Sequence, residues 1–236
     1  MKGLHNDPIG QAIQDYTVQD FDENIVVSSD ICEDDVIPVE MLFRNYDEMP
    51  KLEQLALSLC TGKVLDVGAG AGVHAKYLKD KGHSVEAIDI SPGAVKYMQS
   101  QGLNARRSSF FDESEASYDT LLFLMNGIGV AGKLSNLDVT LLHAKKLVTD
   151  HGKIICDSTD IKYLYEDETG AMWVDLSSEY YGNFHFQMHY KNHQSEGFDW
   201  LYVDFETLKE AAERTGWKVE KRFADDDHYL AELKRL

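Results

Sequence analysis

The sequence predicts an α/β fold, a parallel sheet covered by helices on both faces. Three features point to it. Short apolar segments alternate with amphipathic ones, strand then helix, through residues 50–158. Residues 118–124 are almost continuously apolar, and residues 64–67 are apolar apart from one acid, as strands buried on both faces are. The segment 64–67 then runs straight into Gly68-Ala69-Gly70-Ala71-Gly72. Glycine permits positive φ and carries no Cβ, so this backbone can come close to a ligand.

The elements follow in order. A helix starts at Pro50, a favoured first helical residue, with Leu52, Leu55, Ala56 and Leu59 on one face, and Gly62 ends it. The first strand is 64–67. A helix over 73–81 stops at Gly82. The second strand, 84–88, ends at Asp89. Ser91 caps the next helix, Pro92 is its first residue and Gly102 closes it. The third strand is short, around 105–108, and the fourth spans 118–124. Ser135, with Asp138 three residues on, starts a helix that ends before Gly152, and the fifth strand is 153–157. Ligands of such sheets sit at the carboxyl ends of the strands. Those ends carry Asp66, Asp89, Ser109, Asn126 and Asp157.

The flanks are less regular. Residues 1–49 read as an acidic N-terminal arm or lid, with a helix from Pro8 to about Asp20 and a loop from Ser28 to Asp35. After Asp157 the rhythm breaks. Residues 160–204 are rich in aromatic side chains, Trp173, Tyr181 and Trp200 among them, and read as an inserted β-hairpin. Its strands are 182–191 and 197–203, joined by the polar turn 192–196. Asp204 then caps a helix over 205–215, ended by Gly216, and strands 217–223 and 229–236 form an antiparallel pair. The expected organisation is one domain: arm 1–49, core 50–158, insertion 160–204, closing helix and strand pair 205–236.

Composition narrows the partners. The 236 residues include 41 acids against 23 Lys and Arg, for a formal net charge of −18. Such a surface repels phosphate backbones, and no basic patch offsets it, so nucleic acid is not expected. The three cysteines are far apart and form no metal-type pair. No apolar run spans a bilayer and no signal-type apolar segment opens the chain, so a reducing, cytoplasmic setting is expected.

The glycine turn suggests a nucleotide-type ligand. The dinucleotide fingerprint G-x-G-x-x-G fits at Gly68 and Gly70, but position 73 is Val, and the third glycine falls one residue early at Gly72. Asp66 stands two residues before the first glycine, where it would repel a pyrophosphate. It suits a ligand with positive charge, such as S-adenosylmethionine, which carries an ammonium and a sulfonium. Asp89, at the end of the second strand, can accept from both ribose hydroxyls of an adenosine ligand.

The run Val64-Leu65-Asp66-Val67-Gly68-Ala69-Gly70-Ala71-Gly72, followed by Ala87-Ile88-Asp89-Ile90-Ser91, resembles the class I S-adenosylmethionine-dependent methyltransferases. The resemblance covers roughly residues 50–158 and extends more loosely to the C-terminus. It implies a Rossmann-like, doubly wound sheet of seven strands, mostly parallel, in which the final hairpin contributes one antiparallel strand. It further implies that Gly68, Ala69, Gly70 and Gly72 cradle the methionine and ribose, and that Asp66 orients the turn and the ammonium. Asp89 would hold the ribose and Ile90 would lie against the adenine. Ser109, with Phe110 next, stands where the family often has an adenine-binding acid; Asp112 is the other candidate. Leu124 and Asn126 would line the methionine end, and His74 lies beside the cofactor at a helix start.

The implied reaction is in-line displacement at the sulfonium methyl, which chiefly demands alignment and exclusion of water. A base is needed only for a protonated acceptor. Candidates for it are Tyr181, His185 and His189. His185 and His189 share one strand face, but no third ligand at suitable spacing makes them a metal site. Asn126 is followed by Gly127, so the asparagine–proline–proline–aromatic signature of amino-directed enzymes is missing. The acceptor expected is therefore a small molecule. The alternative is a non-catalytic protein that binds S-adenosylmethionine or S-adenosylhomocysteine on the same fold. An NAD-linked oxidoreductase is opposed by Asp66 and Val73.

Overall fold

The computed structural model describes residues 6–20, 23–29, 31–114, 117–165 and 180–236. Trp173, one of the aromatic residues of the insertion, lies outside them. The strands are β1 (Ile25–Ser29), β2 (Asp35–Ile37), β3 (Lys63–Val67), β4 (Ser84–Asp89), β5 (Ala105–Arg107), β6 (Tyr118–Phe123), β7 (Val148–Thr159), β8 (Asn183–Tyr190), β9 (His193–Gln194), β10 (Phe198–Leu201), β11 (Trp217–Asp225) and β12 (His228–Arg235). The helices are α1 (Pro8–Thr17), α2 (Lys51–Leu59), α3 (Val73–Asp80), α4 (Pro92–Ser100), α5 (Leu137–Leu147) and α6 (Phe205–Arg214).

The main sheet has seven strands in the order β11-β12-β7-β6-β3-β4-β5. Strands β3 to β7 pair in parallel, and β12 runs antiparallel to both β7 and β11. The strand–helix rhythm predicts its parallel part, and the resemblance implies the seven-stranded Rossmann-like sheet with one antiparallel strand from the closing hairpin. Two apolar layers hold it. On one face Leu65, Phe123, Leu141, Trp217 and Leu233 are buried; on the other Leu52, Leu57, Val64, Leu122, Ile155 and Leu230 are. Helix caps fall where the sequence places them: Ser91 Oγ accepts from Ala94 N at 3.0 Å, and Asp204 Oδ1 from Thr207 N at 3.0 Å.

The flanks depart from expectation. The stretch read as a loop from Ser28 to Asp35 borders two strands, so the arm is not purely helical. Strand β1 pairs antiparallel with β2 and with β8 of the insertion. Arm and insertion thus build one second sheet, β10-β8-β1-β2 with β9 on β8. Local periodicity could not reveal this. Val26 pairs with His189 and Val27 with Met188, partners more than 160 residues apart in sequence. The sheet turns Phe184 and Phe186 onto Val27 and Ile161, with Trp200 and Tyr202 packed alongside.

Helix α1 lies on α4. Asp7 caps α1 through Gly10 N at 2.9 Å, and its other oxygen accepts from Ser91 Oγ at 3.0 Å and Gly93 N at 2.9 Å. Ile13 packs on Ala71 of the glycine turn and on Ala94. On its other side α1 meets β8, where Tyr190 Oη donates to Asp15 Oδ2. The arm therefore joins the cofactor-side helices to the second sheet. Among the described residues no helix is long and apolar enough to cross a membrane.

Candidate functional site

The site is built at the carboxyl edge of the main sheet. Gly68 and Gly70 hold φ of +71° and +55°, and a Cβ on either would meet nothing within 4 Å. The turn is thus strained for any other residue and open on the side where a ligand would lie. Gly72 differs: a Cβ there would strike Met98 and Leu103, so it serves the close approach of α3 to α4.

Asp66 ends β3 and is 2% exposed. Its Oδ2 is buried with no hydrogen-bond partner among the described residues. Burial pushes its carboxyl up to about 6, against the pull of His74 and the Ala75 N–H. A buried acceptor without a donor suits a ligand ammonium. Asp89 is held at both oxygens, Oδ2 by Gly70 N and Oδ1 by Ser91 N, each at 2.8 Å. Each oxygen keeps a lone pair for a hydroxyl. Burial raises the Asp89 carboxyl, partly offset by the Ser91 and Gly70 N–H groups. The neighbouring Ile90 leaves 70% of its surface to water, an apolar face beside Asp89.

The residues after β5 are placed differently. Ser109 Oγ accepts from Phe111 N at 3.3 Å. The Phe110 ring turns into the core, 2% exposed, with Phe123 and His143 rings 5.1 and 4.9 Å away. Phe111 points outward instead, so a stacking role for the Phe110 ring is not what this geometry offers. Asp112 is exposed, and Glu113 is taken up by Arg106 and Ser108.

Leu124 is buried against α2 and α3. Asn126 adopts φ +57°. Its Oδ1 accepts from Ser158 Oγ at 2.8 Å, its Nδ2 donates to Leu201 O at 3.3 Å, and its N–H is held by Asp157. The side chain ties β6, β7 and β10 together, which favours positioning over direct ligand contact. His74 is buried, with Nε2 2.9 Å from Glu53 Oε2, and Glu53 Oε1 accepts from Arg44 at 2.7 Å. His74 is thus half of a strut behind Asp66.

The candidate bases of the insertion do not come together: Tyr181 bonds Asp160, next to the end of β7, while the two histidines lie on β8. His185 and His189 occupy the face of β8 opposite Phe184 and Phe186. His185 Nδ1 meets Asp199 at 2.8 Å on the exposed side, and His189 Nε2 lies 3.3 Å from Ser28 Oγ. Tyr181 donates to Asp160 at 2.8 Å and to Asp204 at 3.2 Å. Burial, Tyr180 and these carboxylates hold its phenol protonated far above the usual range. It is a poor base. Among the described residues no three His, Cys, Asp or Glu side chains gather as a metal site.

Three residues of the site escaped sequence reasoning. Asp7 carried a readable signal, an acid just before Pro8 at a helix start. Glu53 sits on the buried side of α2, where its charge resembles any surface charge in sequence. His228 lies in an acidic turn without a motif, yet its Nε2 is 2.8 Å from Asp157 Oδ2. A cavity of about 310 Å³ lined by Phe43, Tyr46, Lys76, Tyr77 and Tyr97 borders the glycine turn at Ala71 and Gly72 and includes neither Asp66, Asp89 nor Asp157.

A family model described as a methyltransferase domain matches residues 41–222. An uncharacterised methyltransferase of Staphylococcus carnosus is 32% identical over 154 residues, covering 59% of this chain and 71% of its own. The crystal structure of an S-adenosylmethionine-dependent methyltransferase from Bacteroides fragilis, in complex with S-adenosyl-L-homocysteine, is 42% identical. It superposes with a TM-score of 0.90 over 99% of this chain and 97% of that one. An S-adenosylmethionine-bound amino pentose methyltransferase of Micromonospora echinaspora shares the fold at 10% identity, with a TM-score of 0.57 over 84% of this chain and 96% of that one.

Proposed function

Because this chain belongs to the S-adenosylmethionine-dependent methyltransferases, we propose that it methylates a small molecule held between the carboxyl edge of the main sheet and the second sheet. The observation that carries the small acceptor is how that second sheet is seated. Leu201 O takes the Asn126 amide, and Val203 N donates to Ser158 Oγ at 3.0 Å. Asn183 Oδ1 accepts from Leu134 N at 2.8 Å. A Cβ on Gly129 would collide with the Trp200 indole nitrogen. The insertion therefore sits against the ends of β6 and β7, with β1 of the arm joined to it through β8. An enclosed acceptor is aligned and kept from water, which is what methyl transfer requires. The net charge of −18 argues against a nucleic acid acceptor.

S-adenosylmethionine supplies a methyl carbon made electrophilic by its sulfonium. The residues fit it. In this reading the open glycine turn takes the methionine and ribose, the orphaned Asp66 oxygen accepts from the ammonium, and Asp89 accepts from the ribose hydroxyls. Ile90 supports the adenine from one side, and Ser109 is closer in burial than Asp112 to an adenine contact. A cytoplasmic setting belongs to the same reading. The three cysteines are free thiols, and burial pushes Cys60 up to about 12, where it stays unreactive.

The deciding experiment incubates the protein with S-adenosylmethionine and separate pools of metabolites, RNA and protein, and measures S-adenosylhomocysteine released. Release with the metabolite pool alone is expected. Release confined to RNA or protein would overturn the small-acceptor reading.

A further inference from the structure

The cofactor reading leaves one histidine–carboxylate pair at the carboxyl edge without a role. His228 opens β12, beside the end of β7, where it pairs with Thr159. Its Nε2 is 2.8 Å from Asp157 Oδ2. Asp157 is 1% exposed and is aimed by the Asn126 N–H, 3.0 and 3.1 Å from its two oxygens. That N–H is fixed in turn, because Met125 and Asn126 hold φ of +60° and +57°. The carboxylate only accepts, so Nε2 carries a hydrogen and Nδ1 carries the lone pair.

Direction and access both favour this histidine. Val64, Leu124, Ile155 and Leu230 share one apolar layer. Strand alternation puts Asp66, Asp157 and His228, each two residues from a member of that layer, on the same side of the sheet. His228 therefore faces the side on which Asp66 waits for the ammonium. Its side chain keeps 43% of its surface, whereas His74, in the neighbouring pair with Glu53, keeps 6%. Only the former can reach a second molecule.

We propose that His228 is the proton acceptor of the transfer and Asp157 its positioning residue, so that the substrate class is a hydroxyl compound or an amine that must lose a proton. The proposal rests on the methyltransferase reading of the same site. A lone pair on the acceptor's oxygen or nitrogen forms the bond to the methyl carbon. The carbon–sulfur bond breaks with its electron pair left on sulfur. The acceptor's proton passes to His228 Nδ1, and Nε2–H remains on Asp157. The surroundings favour taking that proton. The Asp157 hydrogen bond raises the imidazole above the usual 6.5 against partial burial, and Glu53 on α2 and Asp225 at the end of β11 add to the effect.

The test needs no identified acceptor. The His228 imidazole is titrated by NMR, its resonance assigned with His228→Gln, in complexes with S-adenosylhomocysteine and with sinefungin. Sinefungin carries a primary ammonium where the methyl would stand. If His228 faces that position, its pKa falls by about one unit or more from the first complex to the second. His185, on the outer face of β8, stays unchanged. Asp157→Asn should bring the His228 pKa down toward 6.5. Equal His228 pKa values in the two complexes overturn the proposal and leave the cofactor reading intact. Failure of both ligands to bind overturns the cofactor reading and the proposal with it.

Discussion

Gly10 of α1 and Gly93 of α4 cross with their backbones in contact. A Cβ on Gly10 would lie 2.7 Å from the Gly93 Cα, and one on Gly93 would collide with the Gly10 backbone. The two glycines let Asp7 reach Ser91 and Gly93, just past Asp89, the proposed ribose acceptor. Gly93→Ala should lift α1 and cost about 1–3 kcal/mol, as overpacking does. Thermal unfolding reads the loss. An unchanged melting temperature would mean that α1 does not rest on α4.

Asp66 should make cofactor binding depend on pH. Its carboxyl titrates at about 6, against an ordinary 3.8, because burial disfavours the charged form. A ligand ammonium favours that form, so binding draws the proton off. Between pH 7 and pH 5 the affinity for S-adenosylhomocysteine should fall as the pH passes below about 6, with protons released on binding. Calorimetric titration in buffers of different ionisation enthalpy measures both. Asp66→Asn should bind more weakly at pH 7 and lose the dependence.

Asp89→Ala removes an acceptor whose two oxygens are already aligned by backbone N–H groups. Hydrogen bonds to a charged group contribute about 1.5–3 kcal/mol each, so losing even one should weaken S-adenosylhomocysteine binding about 10- to 100-fold, and losing both should weaken it further. Equilibrium titration checks it, and an affinity within twofold of the parent would remove the ribose assignment.

The proposed cofactor half of this site could be read from the sequence because its chemistry is local. Asp66, the glycine turn and Asp89 lie on consecutive strand ends, and each residue type has a mechanical reason to be there. The proposed acceptor half is assembled across the chain. Strand β1 finds β8, Asn126 finds Leu201, and Asp157 finds His228 through pairings of high sequence separation. His185 and His189 attracted attention by spacing alone, yet spacing fixes only that they share a face. Which face lies inside was decided by Phe184, Phe186 and the strand they meet.

The strut Arg44–Glu53–His74 should govern acid stability. Burial pushes the Glu53 carboxyl up, but His74 and Arg44 outweigh it and hold it below its ordinary 4.5. Its contribution is therefore full above about pH 4.5 and is lost as the pH falls through the folded value. Glu53→Ala leaves the half-buried Arg44 guanidinium and the buried His74 imidazole without the carboxylate they share and should cost about 3 kcal/mol near neutrality. Urea unfolding of both proteins across pH 3–7 should show the gap closing toward the acid end. A gap independent of pH would mean that Glu53 acts through packing.

Gly129→Ala separates the cover from the cofactor cradle. The added methyl would strike the Trp200 indole, which sits on the turn after β6. The strand that carries Trp200 also supplies Leu201 O to Asn126, so displacing one should loosen the other. Gly68, Gly70, Asp66 and Asp89 are not part of that contact. Hydrogen exchange in β10 and β8 should therefore quicken about tenfold or more, while S-adenosylhomocysteine affinity stays within about twofold. Loss of affinity in step with the faster exchange would show that cover and cradle form one cooperative unit, and the acceptor site would then have to be sought inside the cradle itself.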